Sequence, residues 1–280
     1  VHRGPHLEDV MEIAGKVFVV TGGGNGIGRA VTLELLARGA EVAAVDIGEA
    51  ALAETAEMAR STRLSTHVVD LADRPAVEAL PEAVVAAHGQ VDGVLNVAGI
   101  IQRFVPVNDL AYEEIEKVMA VNFWGVVHMS KAFLPYLLER PAASLVNVAS
   151  MGGLSPVPGQ STYGASKAAV KLFTEGLYAE LLETPVAVTV IFPGAIATNI
   201  TQNSGVSMGS SSDASGSKMK LTTAQEAARQ IVAAVEKGAY RATIGSDARM
   251  VDRLSRLMPR RTTELIAKKM SALRAKPEAS

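Results

Sequence analysis

The chain has 280 residues, 48% of them apolar, with 27 Lys and Arg set against 29 Asp and Glu. That length allows one large α/β domain or two small ones, and the near balance of charge supplies no whole-molecule field calling for nucleic acid or an acidic substrate. The absence of cysteine rules out disulfides and thiolate chemistry, and five scattered histidines without an H-E-x-x-H or comparable spacing argue against a metal site.

Residues 1–10, with Gly4, Pro5 and two histidines, read as a polar leader or expression remnant, and Met11 is a candidate natural start. No signal-peptide pattern precedes the first strand-like run, and the apolar runs are short or broken by Pro193 and Gly194. A spanning helix is therefore excluded and a cytoplasmic location expected, with which the cysteine count is consistent.

Lys16 to Val20 is a β-branched and aromatic run that ends in Thr21-Gly22-Gly23-Gly24-Asn25-Gly26-Ile27-Gly28. A helical pattern through Ala30, Val31, Leu33, Leu35 and Leu36 follows and stops at Gly39. Strand, glycine-rich turn and helix in that order let backbone N–H groups approach a pyrophosphate at the helix N-terminus, where the dipole favours anions. The next strand, Glu41 to Val45, ends at Asp46, eighteen residues past Gly28. An acidic residue at that distance accepts hydrogen bonds from adenosine ribose hydroxyls and repels a 2′-phosphate, which favours NAD over NADP; the other use of Asp46 is to cap the following helix.

A helix through Ala51 to Arg60, a short strand Ser65 to Val69 and Asp70-Leu71 come next. A helix at Pro75 to His88 precedes the strand Val91 to Val97, which closes in Asn96-Val97-Ala98-Gly99. This alternation calls for a parallel sheet with helices on both faces. Asn96 either serves the cleft or satisfies buried backbone. Leu110 to Arg140 is a long helical stretch with apolar residues at helical spacing, interrupted late by Pro135. Asn122, embedded in its apolar face, is either a member of a core network or a positioner of water near a site.

Ala143 to Ala149 is the next strand, ending at Ser150, on the sheet edge where open α/β sheets bind ligands or else as a loop cap. Thirteen residues later Tyr163 opens a helix containing Lys167. Four helical residues advance about 6 Å and return to nearly one face, so phenol and ammonium can share a cleft. A phenol with a free pKa of about 10 becomes a base near pH 7 only through roughly 4 kcal/mol of preferential stabilisation of its phenolate, for which an ammonium and a cationic cofactor ring are the evident sources. The strand Val186 to Phe192 leaves at Pro193-Gly194-Ala195-Ile196-Ala197-Thr198.

Residues 199–220, Ser- and Gly-rich over 209–217, predict a mobile lid with Met208 and Met219 as adaptable contacts, or else an inert surface loop. A helix at Thr223 to Lys237 and a strand at Arg241 to Ile244 follow. Residues 241–280 carry ten Lys and Arg against four Asp and Glu, a net of +6. Two apolar stripes, through Met250 to Met258 and Leu265 to Leu273, flank Pro259. They read as a packing surface with a solvated charged face, in preference to a lipid-binding one.

Together, T-G-G-G-N-G-I-G at Thr21 to Gly28, N-V-A-G at Asn96 to Gly99, Asn122, Ser150, Y-G-A-S-K at Tyr163 to Lys167 and P-G-A-I-A-T at Pro193 to Thr198 resemble the compact branch of the short-chain dehydrogenase/reductase family over about Lys16 to Ile244. Val97 departs from the second Asn most common there, which alters packing beside the cofactor. The resemblance implies a Rossmann-type doubly wound α/β sheet of seven parallel strands in a single domain over 13–246. A leader over 1–12 precedes that domain, and basic amphipathic helices over 247–280 follow it. It further implies a homo-oligomer, usually a tetramer, built through helices in 110–140 and 161–183.

By the same resemblance Tyr163 is the acid/base, Lys167 lowers its pKa and holds the nicotinamide ribose, Ser150 bonds the substrate oxygen and Asn122 holds a water in the proton relay. Gly22, Asn25, Gly26, Ile27 and Gly28 would line the pyrophosphate and ribose, with Asp46 on the adenosine ribose. Asp70 and Leu71 would border adenine, and Asn96, Ala98 and Gly99 the adjoining ribose. Ile196 and Thr198 would border the carboxamide, with Pro193 and Gly194 also among the cofactor-binding residues. The expected activity is NAD-dependent hydride transfer to or from a secondary alcohol or ketone. The substrate is read as apolar because Gly153 to Pro158, Gln160 and the lid bring no convergent charged cluster. The alternatives are a 3-oxoacyl-thioester reductase, disfavoured by Asp46, and a catalytically idle NAD-binding sensor or scaffold, disfavoured by the intact Ser, Tyr and Lys.

Overall fold

The computed structural model describes residues 11–197, 200, 204 and 221–270, with the side chains of 269 and 270 excepted. β-Branched runs form the strands β1 (Val17–Thr21), β2 (Glu41–Asp46), β3 (Leu64–Val68), β4 (Gly93–Asn96), β5 (Ala143–Val148), β6 (Val186–Pro193) and β9 (Arg241–Ile244). They make one seven-stranded sheet in the order β3-β2-β1-β4-β5-β6-β9, parallel at every pairing. This is the Rossmann-type doubly wound arrangement. The order reverses direction between β1 and β4, and at that switch point the chain connections part to leave a crevice beyond the strands' carboxyl ends. The short strands β7 (Ile196–Ala197) and β8 (Thr222–Thr223) pair separately, an addition that the sequence pattern does not announce.

Helices α1 (Gly26–Ala37), α2 (Glu49–Ala59), α3 (Arg74–His88), α4 (Tyr112–Met119), α5 (Gly125–Leu138), α6 (Ser161–Glu180), α7 (Ala224–Glu236), α8 (Ser246–Leu257) and α9 (Pro259–Met270) complete the described fold. Period-two alternation in β1 sends Phe18 and Val20 to one face, where Val31, Leu35, Ile231 and Val235 of α1 and α7 cover them. Val17 and Val19 go to the other, against Val77, Met129, Phe133 and Leu177 of α3, α5 and α6. Every residue of β1, β4 and β5 is buried, as expected for strands covered on both faces. No helix among the described residues is long and apolar enough to cross a membrane.

Two local readings need correction. Helix α5 does not break at Pro135 but runs through it to Leu138. Proline removes the amide that would bond the Lys131 carbonyl, and both residues are exposed, so water can take that acceptor. The expected single stretch 110–140 begins as α4 and passes through a π-helical turn, Ala120–Trp124, before α5. Asn122 sits in that turn and is fully buried. In the tail α8 and α9 meet at Pro259 as the break implies, yet Leu257 remains 78% exposed, so that part of the first stripe is not covered.

Below the sheet, at the amino ends of its central strands, the buried Asp92 carboxylate accepts from Val17 N at 2.9 Å, Gln90 Nε2 at 2.8 Å and Arg140 Nε at 2.9 Å. It ties β1, β4 and the end of α5 into one corner. Removing it strands a buried amide and a guanidinium together. The Asp92→Ala protein is expected to lose about 3 kcal/mol of unfolding free energy in urea titrations. A loss below about 1 kcal/mol would show that the corner is held by apolar packing alone.

Candidate active site

The glycine loop after β1 is braced from both sides. Thr21 Oγ1 accepts from Val97 N at 2.9 Å and Ala98 N at 3.1 Å, joining the first βα turn to the end of β4. Arg29 reaches back to the Gly24 carbonyl and also bonds Thr55 Oγ1 at 3.0 Å and Glu54 Oε2 at 2.8 Å, so α2 grips the loop. Gly22 adopts φ +70°, and a Cβ on Gly28 would lie 2.1 Å from the Gly22 carbonyl oxygen, so α1 can start this close to the turn only with glycine. Asn25 caps α1 through its own Oδ1, which accepts from Gly26 N at 2.8 Å. At the end of β2, Asp46 accepts from Gly24 N through Oδ2 and from Gly48 N through Oδ1, both at 3.0 Å. Its carboxylate thus has a set position at the edge of the loop.

A cavity of about 530 Å³ runs from Asp46 and Ile47 across the glycine loop to Gly99 and Ile100. Gly22, Asn25, Gly26, Ile27, Gly28, Asp46, Asp70, Leu71, Ala98 and Gly99 line it, which gathers ten of the sequence-derived cofactor positions from four separate stretches. Val97 lines it as well. Asn96 does not: it is buried in the sheet, donating Nδ2 to Asn147 Oδ1 at 2.8 Å. Pro193 ends β6, Gly194 donates to the Ile244 carbonyl at 2.9 Å, and Ile196 pairs with Thr222, all three away from the cavity lining. Thr198 lies outside the described residues, as do 199, 201–203 and 205–220 of the expected lid and 271–280 of the tail. Of that lid, Ile200 lines the cavity and Ser204 Oγ accepts from Ile101 N at 3.0 Å.

Two buried polar side chains sit behind Gly99. A Cβ placed there would be 3.0 Å from Lys167 Nζ and 3.3 Å from Asn122 Oδ1, so one glycine divides the cavity from the ammonium. Lys167, 3% exposed, donates to the Val148 carbonyl at 3.0 Å. Burial pulls its pKa from the ordinary 10.5 to about 8. Asn122 accepts from Ile100 N at 2.8 Å and donates to Ile100 O at 2.9 Å and Ser166 Oγ at 3.0 Å. Both of its donor hydrogens are therefore used on protein groups, and the amide clamps the loop after β4 to α6. Ser150 and Tyr163 stand side by side around Gly152, where a Cβ would lie 3.5 Å from Ser150 Oγ and 3.4 Å from the Tyr163 ring.

Part of Tyr163 reaches the surface, yet desolvation pushes its phenol above the ordinary range, opposed only by the Ser150 bond. Lys167 is not among the groups that move it. The protein's own groups therefore leave this phenol protonated, and a base there needs further positive charge.

The residues that sequence reasoning missed are mostly braces: Arg29, Thr55 and Gln102, with Lys117, Ala120 and Val121 added to the cavity wall. Gln102 carries a legible signal, an amide directly after the apolar pair Ile100-Ile101 beside the Asn-x-Ala-Gly string. Lys117 and Arg29 carry none, since nothing local says which side of a helix faces a distant crevice.

A short chain dehydrogenase family model matches residues 16–208. The SadH protein of Mycobacterium tuberculosis, whose name carries an assignment as oxidoreductase, is 39% identical over 90% of this chain and 94% of its own. A Burkholderia phymatum short chain dehydrogenase/reductase solved with NAD superposes with a TM-score of 0.79 at 25% identity, covering 96% of this chain and all of the other. A Burkholderia cenocepacia short chain dehydrogenase solved with NADP gives a TM-score of 0.77 at 26% identity, covering 91% and 99%. The chain belongs to the short-chain dehydrogenase/reductase family. It is an oxidoreductase of a family that binds nicotinamide cofactors.

Because burial penalises the Lys167 ammonium, folding releases protons between pH 8 and 10.5, so stability is lower below pH 8 and is recovered as pH rises through that window. Lys167→Met is accordingly expected to raise the unfolding free energy at pH 7 by up to roughly 3 kcal/mol, the gain vanishing by about pH 10.5. Urea melts across that range measure it, and a variant no more stable than wild type at pH 7 would show the buried ammonium to be offset by its surroundings.

Proposed function

We propose that the protein is an NAD-dependent dehydrogenase that interconverts a secondary alcohol and its ketone, with an apolar substrate. The observation that carries this reading is the pairing of Ser150 with Tyr163 around Gly152, with the Tyr163 helix also placing the Lys167 ammonium directly behind Gly99 in the wall of a dinucleotide-sized, glycine-lined cavity. The lining fits the cofactor: tight backbone turns for a pyrophosphate, an acidic residue at one end, and a buried amine behind the other. Bound there, nicotinamide would supply the hydride acceptor or donor and a positive ring. Ser150 holds the substrate oxygen, and Tyr163 takes the hydroxyl proton on oxidation and returns it on reduction. Lys167 stands behind Gly99 in the cavity wall with its ammonium on the Val148 carbonyl, while Asn122 holds the loop bearing Gly99 in place.

Asp46 supports NAD over NADP. A carboxylate with both oxygens anchored by loop amides cannot swing away from a 2′-phosphate. Arg29, in the helix that follows the loop, is taken up by the Gly24 carbonyl, Thr55 and Glu54.

Initial rates with NAD and NADP side by side, over secondary alcohols from 2-propanol to 2-octanol, test the reading. Rates should rise with chain length and favour NAD by at least about tenfold, and Asp46→Ser should erase most of that preference. Tyr163→Phe should lower kcat by about 10²- to 10⁴-fold while NAD affinity stays within about twofold. Turnover retained by Tyr163→Phe would refute the acid/base assignment, and NADP preference in the wild type would refute the cofactor assignment.

A further inference from the structure

Tyr163 lies in the first turn of α6, whose amides have no partner within the helix. Gln160, at the N-cap, makes no side-chain cap bond of its own. The acceptor comes instead from 61 residues upstream, where Gln102 Oε1 takes the Tyr163 amide at 2.9 Å. Gln102 is 2% exposed and donates Nε2 to the Gly159 carbonyl at 3.3 Å. Gln160 answers by donating Nε2 to the Gln102 backbone carbonyl at 2.7 Å. The amide orientation is compelled, since the Tyr163 amide only donates and the Gly159 carbonyl only accepts. The exchange has the logic of a capping box, made between two distant segments instead of within one.

The same short segment meets the rest of the site. Gly99 backs onto Lys167, and Ile100 is held at both its N–H and its carbonyl by Asn122. Contacts at residues 99, 100 and 102 thus register the loop after β4 against α6 and the π-helical turn. We infer that Gln102 is a positioning residue for the proposed hydride transfer: by holding the Tyr163 amide it sets where the phenolic oxygen meets Ser150. This rests on the alcohol dehydrogenase reading above. Without the cap, the first turn frays and the phenol drifts from its Ser150 partner, leaving burial unopposed.

The test uses the full chain with NAD and the fastest secondary alcohol of the series above. Gln102→Met keeps the volume and removes both polar ends. Its kcat should fall about 10- to 100-fold, the loss expected of a reacting group displaced by about 1 Å. NAD affinity should stay within about twofold of wild type, and the limb of the kcat pH profile that reports Tyr163 should move to higher pH. Gln102→Glu keeps an acceptor for the Tyr163 amide, so it should restore most of kcat and return the limb toward wild type. A Gln102→Met protein with wild-type kcat, or with reduced kcat and an unmoved limb, would overturn the assignment. Should Gln102→Met fail to fold, Gln102→Glu decides alone, and a large loss of kcat with NAD binding intact counts against the proposal. Tyr163→Phe run in parallel separates the two claims: if it is inactive while Gln102→Met is fully active, only the positioning role fails.

Discussion

The architecture of the site depends on how closely the backbone at Gly99 approaches two buried polar side chains. On one side that backbone is cavity wall; on the other it stands within van der Waals reach of the Lys167 ammonium and the Asn122 carbonyl oxygen. A side chain of any size would have to displace one of them. Asn122 then secures the next residue by a reciprocal pair of bonds, for which the π-helical turn supplies the orientation. A widened turn inside a helix loses regular bonding locally, and turns of this kind concentrate at functional sites.

Desolvation dominates the electrostatics there. It pulls the lysine down toward neutrality and pushes the tyrosine up, so each group is driven from the charged form its expected role requires. Burial raises the phenol and the neighbouring Ser150 hydroxyl acts in the opposite direction. A pocket this dry amplifies any charge brought into it, because the effective dielectric is low. A cationic cofactor ring would therefore act on the phenol more strongly than in water, and the penalty of burying the ammonium falls on the rest of the fold. The Asp92 corner and the two apolar faces of the sheet are where the compensating stability resides.

Legibility followed the range of the interactions concerned. Element type and sequence came through wherever burial imposes a period: β1 and β5, covered on both faces, and α1, with its stop at Gly39. Pro135 misled because proline's missing donor matters only when its acceptor is buried, and exposure is not written locally. Asn96 shows the same limit. A polar residue at a strand end allows two directions, and only the neighbouring strand, with Asn147 opposite in register, turned its side chain inward. Gln102, Arg29 and Thr55 act across 61, 5 and 32 residues in their bonds to Tyr163, Gly24 and Gly23, and two of those three spans leave no periodic trace.

By itself the chain's order of residues determined the alternation of strand and helix, the tight glycine turn, the acidic residue at the end of β2 and the phenol–amine pair on one helix face. These depend on steric permission and hydrophobic period, both properties of neighbouring residues. Only the tertiary structure decided which polar groups face the cavity, how dry the lysine and tyrosine are, and that a glutamine beyond β4 caps the helix carrying Tyr163. Burial and hydrogen-bond partnership are made by segments far apart in the chain, and they exist only once the sheet has brought those segments together.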